Sequence, residues 1–151
     1  MSSHDTTVPR VDPRGPQFGA VITTVVLGVV LATAPSTFAV ALLAVQAALF
    51  ASGALLGVNR TPYAWLFRTV VRPRLGAPTE WEDPAPPRFA QTVGLGFALV
   101  GLAGFLLGAD LVGLVATGFA LVAALLNAAF GFCLGCEMYL LLRRAASPRT
   151  A

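Results

Sequence analysis

The sequence predicts an all-α membrane protein: a bundle of four transmembrane helices, with a cytoplasmic interfacial helix between spans 2 and 3. Three observations lead there. The 151 residues are 56% hydrophobic and only 11% charged, which is more apolar surface than a soluble domain of this size can bury. The apolar residues gather in four runs separated by short polar or proline-bearing stretches. All ten basic residues are arginines, and with four spans every one of them falls on the same face.

Residues 1–17, rich in Pro, Asp and Arg, read as a short cytoplasmic arm. The first span, about 18–34, is near the lower length limit for crossing a bilayer. Ala32-Thr33-Ala34 resembles a signal-peptide cleavage site. Cleavage is not expected, because Pro35 follows the site, the arm carries Asp5 and Asp12, and a second apolar run begins at once. Pro35-Ser36 is a turn signal, so this run and the next, about 37–58, form a helical hairpin. Gln46, the one strongly polar residue of the second run, should face another helix.

Residues 59–88 form the one sizeable loop. Thr61 to Arg72 is predicted as a surface helix, with Thr61 as N-cap and Pro62 at the first helical position. Tyr63, Leu66, Phe67, Val70 and Val71 recur at helical spacing, and Arg68 and Arg72 lie one turn apart. This is the pattern of a helix in the headgroup plane. Gly76 to Pro87, with four prolines and Glu80, Glu82 and Asp83, should be extended and solvated.

The third span covers about 89–109 and the fourth apolar run about 111–142, with Asp110 between them as the expected cap of the fourth helix. As one straight helix, the fourth run would be roughly 48 Å long, against a hydrocarbon core of ~30 Å. It must tilt, overrun or break, and Gly131 and Gly135 are the weak points. Residues 143–151 form a cytoplasmic tail. Gly101, Gly104 and Gly108 fall near one stripe of the third run. Small residues of this kind allow close helix packing, within the bundle or against a second copy or another membrane protein.

Arg10 and Arg14 precede the first span. Arg60, Arg68, Arg72, Arg74 and Arg88 lie in the large loop, and Arg143, Arg144 and Arg149 follow the last span. The positive-inside rule makes that face cytoplasmic, with both termini on it. The net charge of +3 therefore reads as membrane flanking, and no nucleic-acid partner is expected.

The one constellation with chemical potential is Cys133-Leu134-Gly135-Cys136-Glu137. Thiols three residues apart on a helix share a face. In disulfide exchange one thiolate attacks and its neighbour resolves the mixed disulfide, and Glu137 could take a proton or pair with an arginine. Two other readings stand beside this one. Cysteine is a common small apolar residue of buried helices, and two thiolates with one carboxylate make an incomplete metal site. His4 lies far off in the arm, so no resident metal is expected. Asn127, one to two turns earlier, needs a partner within the bundle. The sequence has no nucleotide loop, zinc signature or Ser/His/Asp set, so no cofactor is expected. With so few ionisable residues in the spans, a transporter has little support.

Three segments carry a family resemblance. They are Val11-Asp12-Pro13-Arg14-Gly15-Pro16; Arg72-Pro73-Arg74-Leu75-Gly76 with Glu82-Asp83-Pro84 and Pro87-Arg88-Phe89-Ala90-Gln91; and Asn127-Ala128-Ala129-Phe130-Gly131-Phe132-Cys133-Leu134-Gly135-Cys136-Glu137. Together they resemble a bacterial membrane family known as domain of unknown function 4395, over roughly residues 11–144. The resemblance implies a multi-pass protein of the bacterial plasma membrane with a cysteine pair near its C-terminus and no established activity. Members are sometimes encoded beside thioredoxin-like or sulfur-transfer proteins, so a cytoplasmic protein of that kind is the implied partner.

Overall fold

The structure, a computed structural model, describes residues 10–147. The expectations for His4, Asp5 and Arg149 lie outside the described residues. Four long helices, α1 (Arg14–Thr33), α2 (Thr37–Leu56), α5 (Ala85–Leu106) and α6 (Asp110–Phe130), are each long and apolar enough to cross a membrane. Between α2 and α5 runs a short helical segment of α3 (Pro62–Leu66), a π turn (Phe67–Val71) and α4 (Arg72–Leu75). A final helix, α7, spans Leu134–Ala146.

The long helices form an up-down-up-down ring in which α1 packs on α2, α2 on α5, α5 on α6, and α6 back on α1. Leu27, Val30, Ala39, Leu43, Ala47, Phe50, Ala98, Phe105 and Ala120 fill the centre. Only 22–33% of the most apolar window of each helix is buried inside the bundle. Val25, Leu99 and Val122 are among the apolar side chains that face outward. Water would penalise that surface, whereas lipid hydrocarbon covers it without penalty.

Local chemistry explains the element ends. Ser36 caps α2 by accepting the Ala39 N–H at 3.2 Å. Arg88 donates to the Ala54 and Leu55 carbonyls at 2.7 and 3.0 Å. It thus places a cation on the negative end of α2 and ties that end to the start of α5. At the opposite end of the bundle α5 and α6 approach backbone to backbone. A methyl group on Gly104 would lie 2.5 Å from the Gly113 nitrogen, so neither position has room for a side chain.

Several expectations need correction. Asp110 is the first residue of α6 rather than its cap, and its side chain makes no capping bond. There it still places a negative charge at the helix's positive end. Gly108, expected in the third span's stripe, lies in the α5–α6 turn with φ of 77°, a conformation glycine adopts without strain. The segment from Gly76 to Pro87 is not uniformly extended, because α5 begins at Ala85 and takes in Pro86 and Pro87. Proline fits a first turn, whose N–H groups have no intrahelical acceptor. The arm is tied down at its base. Val11 and Glu82 exchange backbone hydrogen bonds at 2.9 Å in each direction. The Arg14 guanidinium bridges the buried Asp12 carboxylate (2.8 and 3.0 Å) and the Gly76 carbonyl (3.1 Å). This ion pair holds the Asp12 carboxyl below its ordinary range.

The surface segment does begin with Thr61 capping the Ala64 N–H at 3.1 Å and Pro62 in first position. Its register then changes. Pro73 has no N–H to donate and its ring crowds the carbonyl four residues back. The chain widens, and the Arg72 N–H reaches the Phe67 carbonyl, five residues back. Tyr63 and Phe67, one α-helical turn apart and ahead of that wide turn, point into the bundle, Phe67 against Phe18 with ring centres 5.9 Å apart. Leu66 and Val70 stay exposed, so the five apolar residues do not share one face. Arg68 donates to the Asn59 carbonyl at 2.6 Å, and Arg72 lies over the Trp81 ring at 5.4 Å.

Candidate thiol site

The fourth apolar run is broken. Gly131, at φ of 66°, closes α6 in the left-handed conformation. Its N–H bonds the Asn127 carbonyl at 2.9 Å, and that of Phe132 reaches the Leu126 carbonyl at 3.3 Å. This is a Schellman-type stop, which glycine permits. Gly135 is not a break, because it sits in the first turn of α7.

The break puts the cysteines somewhere other than mid-helix. Cys133 is the N-cap of α7 and Cys136 lies in its first turn. The two are joined by a disulfide, with Cα atoms 5.1 Å apart. Cys133 Sγ accepts the Cys136 N–H at 3.2 Å, and the Cys133 carbonyl accepts the Glu137 N–H at 3.0 Å. One sulfur therefore stands at the positive end of a helix dipole. Both cysteines are half-buried. The Glu137 side chain is exposed and, among the described residues, makes no hydrogen bond to either sulfur. No group of three His, Cys, Asp or Glu side chains gathers among the described residues.

Packing against α5 holds α7 in place. Tyr139 meets Phe89 with ring centres 5.7 Å apart, and Arg143 lies 5.9 Å from the Tyr139 ring. Behind the disulfide lies a cavity of about 220 Å³ between α1, α5, α6 and α7. Cys133 lines it, whereas Cys136 does not. Its wall includes Thr23, Tyr63, Gln91 and Asn127. Gln46, fully buried, links two of these, accepting from the Tyr63 hydroxyl at 3.1 Å and donating to Thr23 Oγ1 at 3.4 Å. Burial raises the Tyr63 phenol above its ordinary range. Gln91 Oε1 is buried and has no partner among the described residues.

A family model described as domain of unknown function DUF4395 matches residues 11–144. The chain belongs to the DUF4395 family. No curated protein and no solved structure matches it. The match places both cysteines, Gln91 and Tyr63 inside the DUF4395 domain. Sequence reasoning singled out the cysteines in this DUF4395 chain but missed Gln91 and Tyr63 as cavity residues. A second amide in an apolar run was the available signal for Gln91. Tyr63 gave none, because a helix lying on the membrane surface and one docked on the bundle show the same apolar spacing.

Proposed function

We propose that this protein is a multi-pass component of the bacterial plasma membrane that exchanges disulfides, or carries sulfur, through Cys133 and Cys136. Its partner is a cytoplasmic thioredoxin-like or sulfur-transfer protein. The observation that carries this reading is the disulfide at the start of α7, with Cys133 as N-cap. A helix N-terminus stabilises the thiolate that must attack or leave in exchange. In this reading Glu137, one residue on, assists proton transfer once the pair is reduced.

Positive-inside asymmetry supports the orientation. The described arginines all lie in segments joined to the end where α1 and α5 begin and α2 and α6 finish. That end is read as cytoplasmic, with α3 and α4 at the headgroup level. The domain reading follows: an N-terminal arm, a four-span membrane domain and a cytoplasmic tail.

The test is thiol trapping in native membranes. The Cys136→Ser variant should capture a partner as a mixed disulfide that reductant releases. If no mixed disulfide forms with either single cysteine variant, and the double variant leaves the cell unaffected, the pair is a structural staple. The protein is then a membrane scaffold or a subunit of a larger complex. Tags at the two termini should both report the cytoplasm.

A further inference from the structure

We propose that the cavity behind Cys133 binds the ring of an isoprenoid quinone, and that the Cys133–Cys136 dithiol passes two electrons to it. The inference rests on the thiol-exchange reading and adds the electron acceptor.

Three features select this ligand class. First, the cavity adjoins a second groove of about 640 Å³, lined by apolar residues, on the outer face of α5 and α6. Val93, Phe97 and Phe119 line both spaces. Gly96 lines the groove, and a methyl group placed there would meet nothing within 4 Å. A ligand with a compact head and a hydrocarbon tail fits this pair of spaces, head inward and tail toward lipid.

Second, the head must be polar but uncharged. Among the described residues no Arg, Asp or Glu lines the inner cavity, so an ionised phospholipid headgroup would lose its hydration without gaining a counter-charge. The wall offers hydroxyl and amide groups instead. Gln91 Oε1 is buried against Gly53 of α2 with no partner among the described residues, a cost that is relieved when the amide turns toward a ligand in the cavity. A carboxamide can donate to a quinone carbonyl through its nitrogen and accept from a quinol hydroxyl through its oxygen. An acyl chain would do neither.

Third, the cavity opens onto Cys133 alone of the two cysteines, which divides the labour. In the reduced protein the Cys133 thiolate attacks a ring carbon of the quinone and forms a C–S bond. Cys136, as thiolate, then attacks Cys133 Sγ. The S–S bond forms, the C–S bond breaks, and its electron pair stays on the ring. The ring takes up two protons, equal to those the two thiols gave up, and leaves as quinol. Two thiols are oxidised to one disulfide and one quinone is reduced. A partner's dithiol then restores the thiols by exchange.

The test uses the full chain in phosphatidylcholine nanodiscs, reduced, freed of reductant and kept without oxygen. Ubiquinone-1, with one isoprene unit, is the probe. We expect saturable loss of quinone absorbance, one quinone per two thiols lost. Gly96→Trp, which fills the groove, should slow this by about tenfold or more, the loss expected when a reactant is no longer held against its partner. Val25→Trp, on the exposed face of α1, should react at the wild-type rate, and circular dichroism should show both variants folded. Equal rates for Gly96→Trp and wild type would overturn the proposal. So would farnesol blocking the cavity while quinone is never reduced, which would make this an acyl-chain site. If reduced thioredoxin opens the disulfide but quinone does not re-form it, the exchange function stands and the quinone assignment falls. If neither reacts, both fall.

Discussion

Gly135 of α7 touches Ala90 of α5 so closely that a methyl group at position 135 would lie 2.6 Å from the Ala90 Cβ and 2.7 Å from its Cα. This contact seats the first turn of α7, and with it the disulfide, at the mouth of the inner cavity. Gly135→Leu should prise α7 from α5 at a cost of about 1–3 kcal/mol, the usual range for overpacking. The readouts are the midpoint of unfolding in denaturing detergent and cleavage by protease near Phe132. Wild-type behaviour in both would mean that α7 is not held by this contact.

The cysteine pair makes a counting prediction. Wild-type protein isolated under non-reducing conditions should take up no maleimide-polyethylene glycol, and should take up two after reduction. Cys133→Ser should take up one without reduction. Opening so short a loop should lower stability by at most about 2 kcal/mol, so the helical spectrum should persist. Two free thiols in the untreated protein would contradict the bond.

Gln46 sits at the middle of a buried chain, between the Tyr63 hydroxyl and Thr23. Gln46→Leu keeps the bulk but leaves that hydroxyl without its acceptor. The expected cost is about 0.5–2 kcal/mol, since hydrogen bonds inside membrane bundles are worth little more than those in water. Tyr63→Phe should cost a similar amount, because it leaves the fully buried Gln46 Oε1 without its donor. Unfolding in denaturing detergent measures both, and a Gln46→Leu variant as stable as wild type would show that the chain is not holding the bundle.

Asp12 gives a pH dependence with a definite sign. Its carboxyl is held below the ordinary range by Arg14. A depressed folded-state pKa contributes stability that is fully present above the unfolded value and lost as pH falls through the folded one. The protection of the Val11 and Glu82 amides, measured relative to intrinsic exchange at each pH, should therefore be high near neutrality and fall on acidification below the ordinary carboxylate range. Asp12→Asn should show less protection at neutral pH and lose most of its acid dependence. An unchanged acid profile in the variant would locate the dependence elsewhere.

The long elements were legible because they rest on local chemistry. Thr61 and Pro62 announce a helix start by hydrogen-bonding capacity and a fixed φ. Ser36 follows a proline that stops the preceding helix. The pair Cys133 and Cys136 stood out by spacing, and Gly131 by the excess length of its run. Asp110 was misplaced by one residue, because cap and first-turn positions both favour a short acidic side chain.

By itself, then, the sequence determined four apolar helices able to cross a membrane, the arginine asymmetry, and a cysteine pair beside a breakable run. Each follows from properties that a residue carries with its near neighbours: transfer free energy, charge and turn propensity. Only the tertiary structure decided that the pair opens a helix, that Cys133 rather than Cys136 faces a cavity, and that Gln91 and Tyr63 share its wall. Those relations join α3, α5 and α7 across long stretches of chain. They depend on how closely backbones approach at Gly135 and on which face of α3 docks on the bundle, which hydropathy and spacing do not encode.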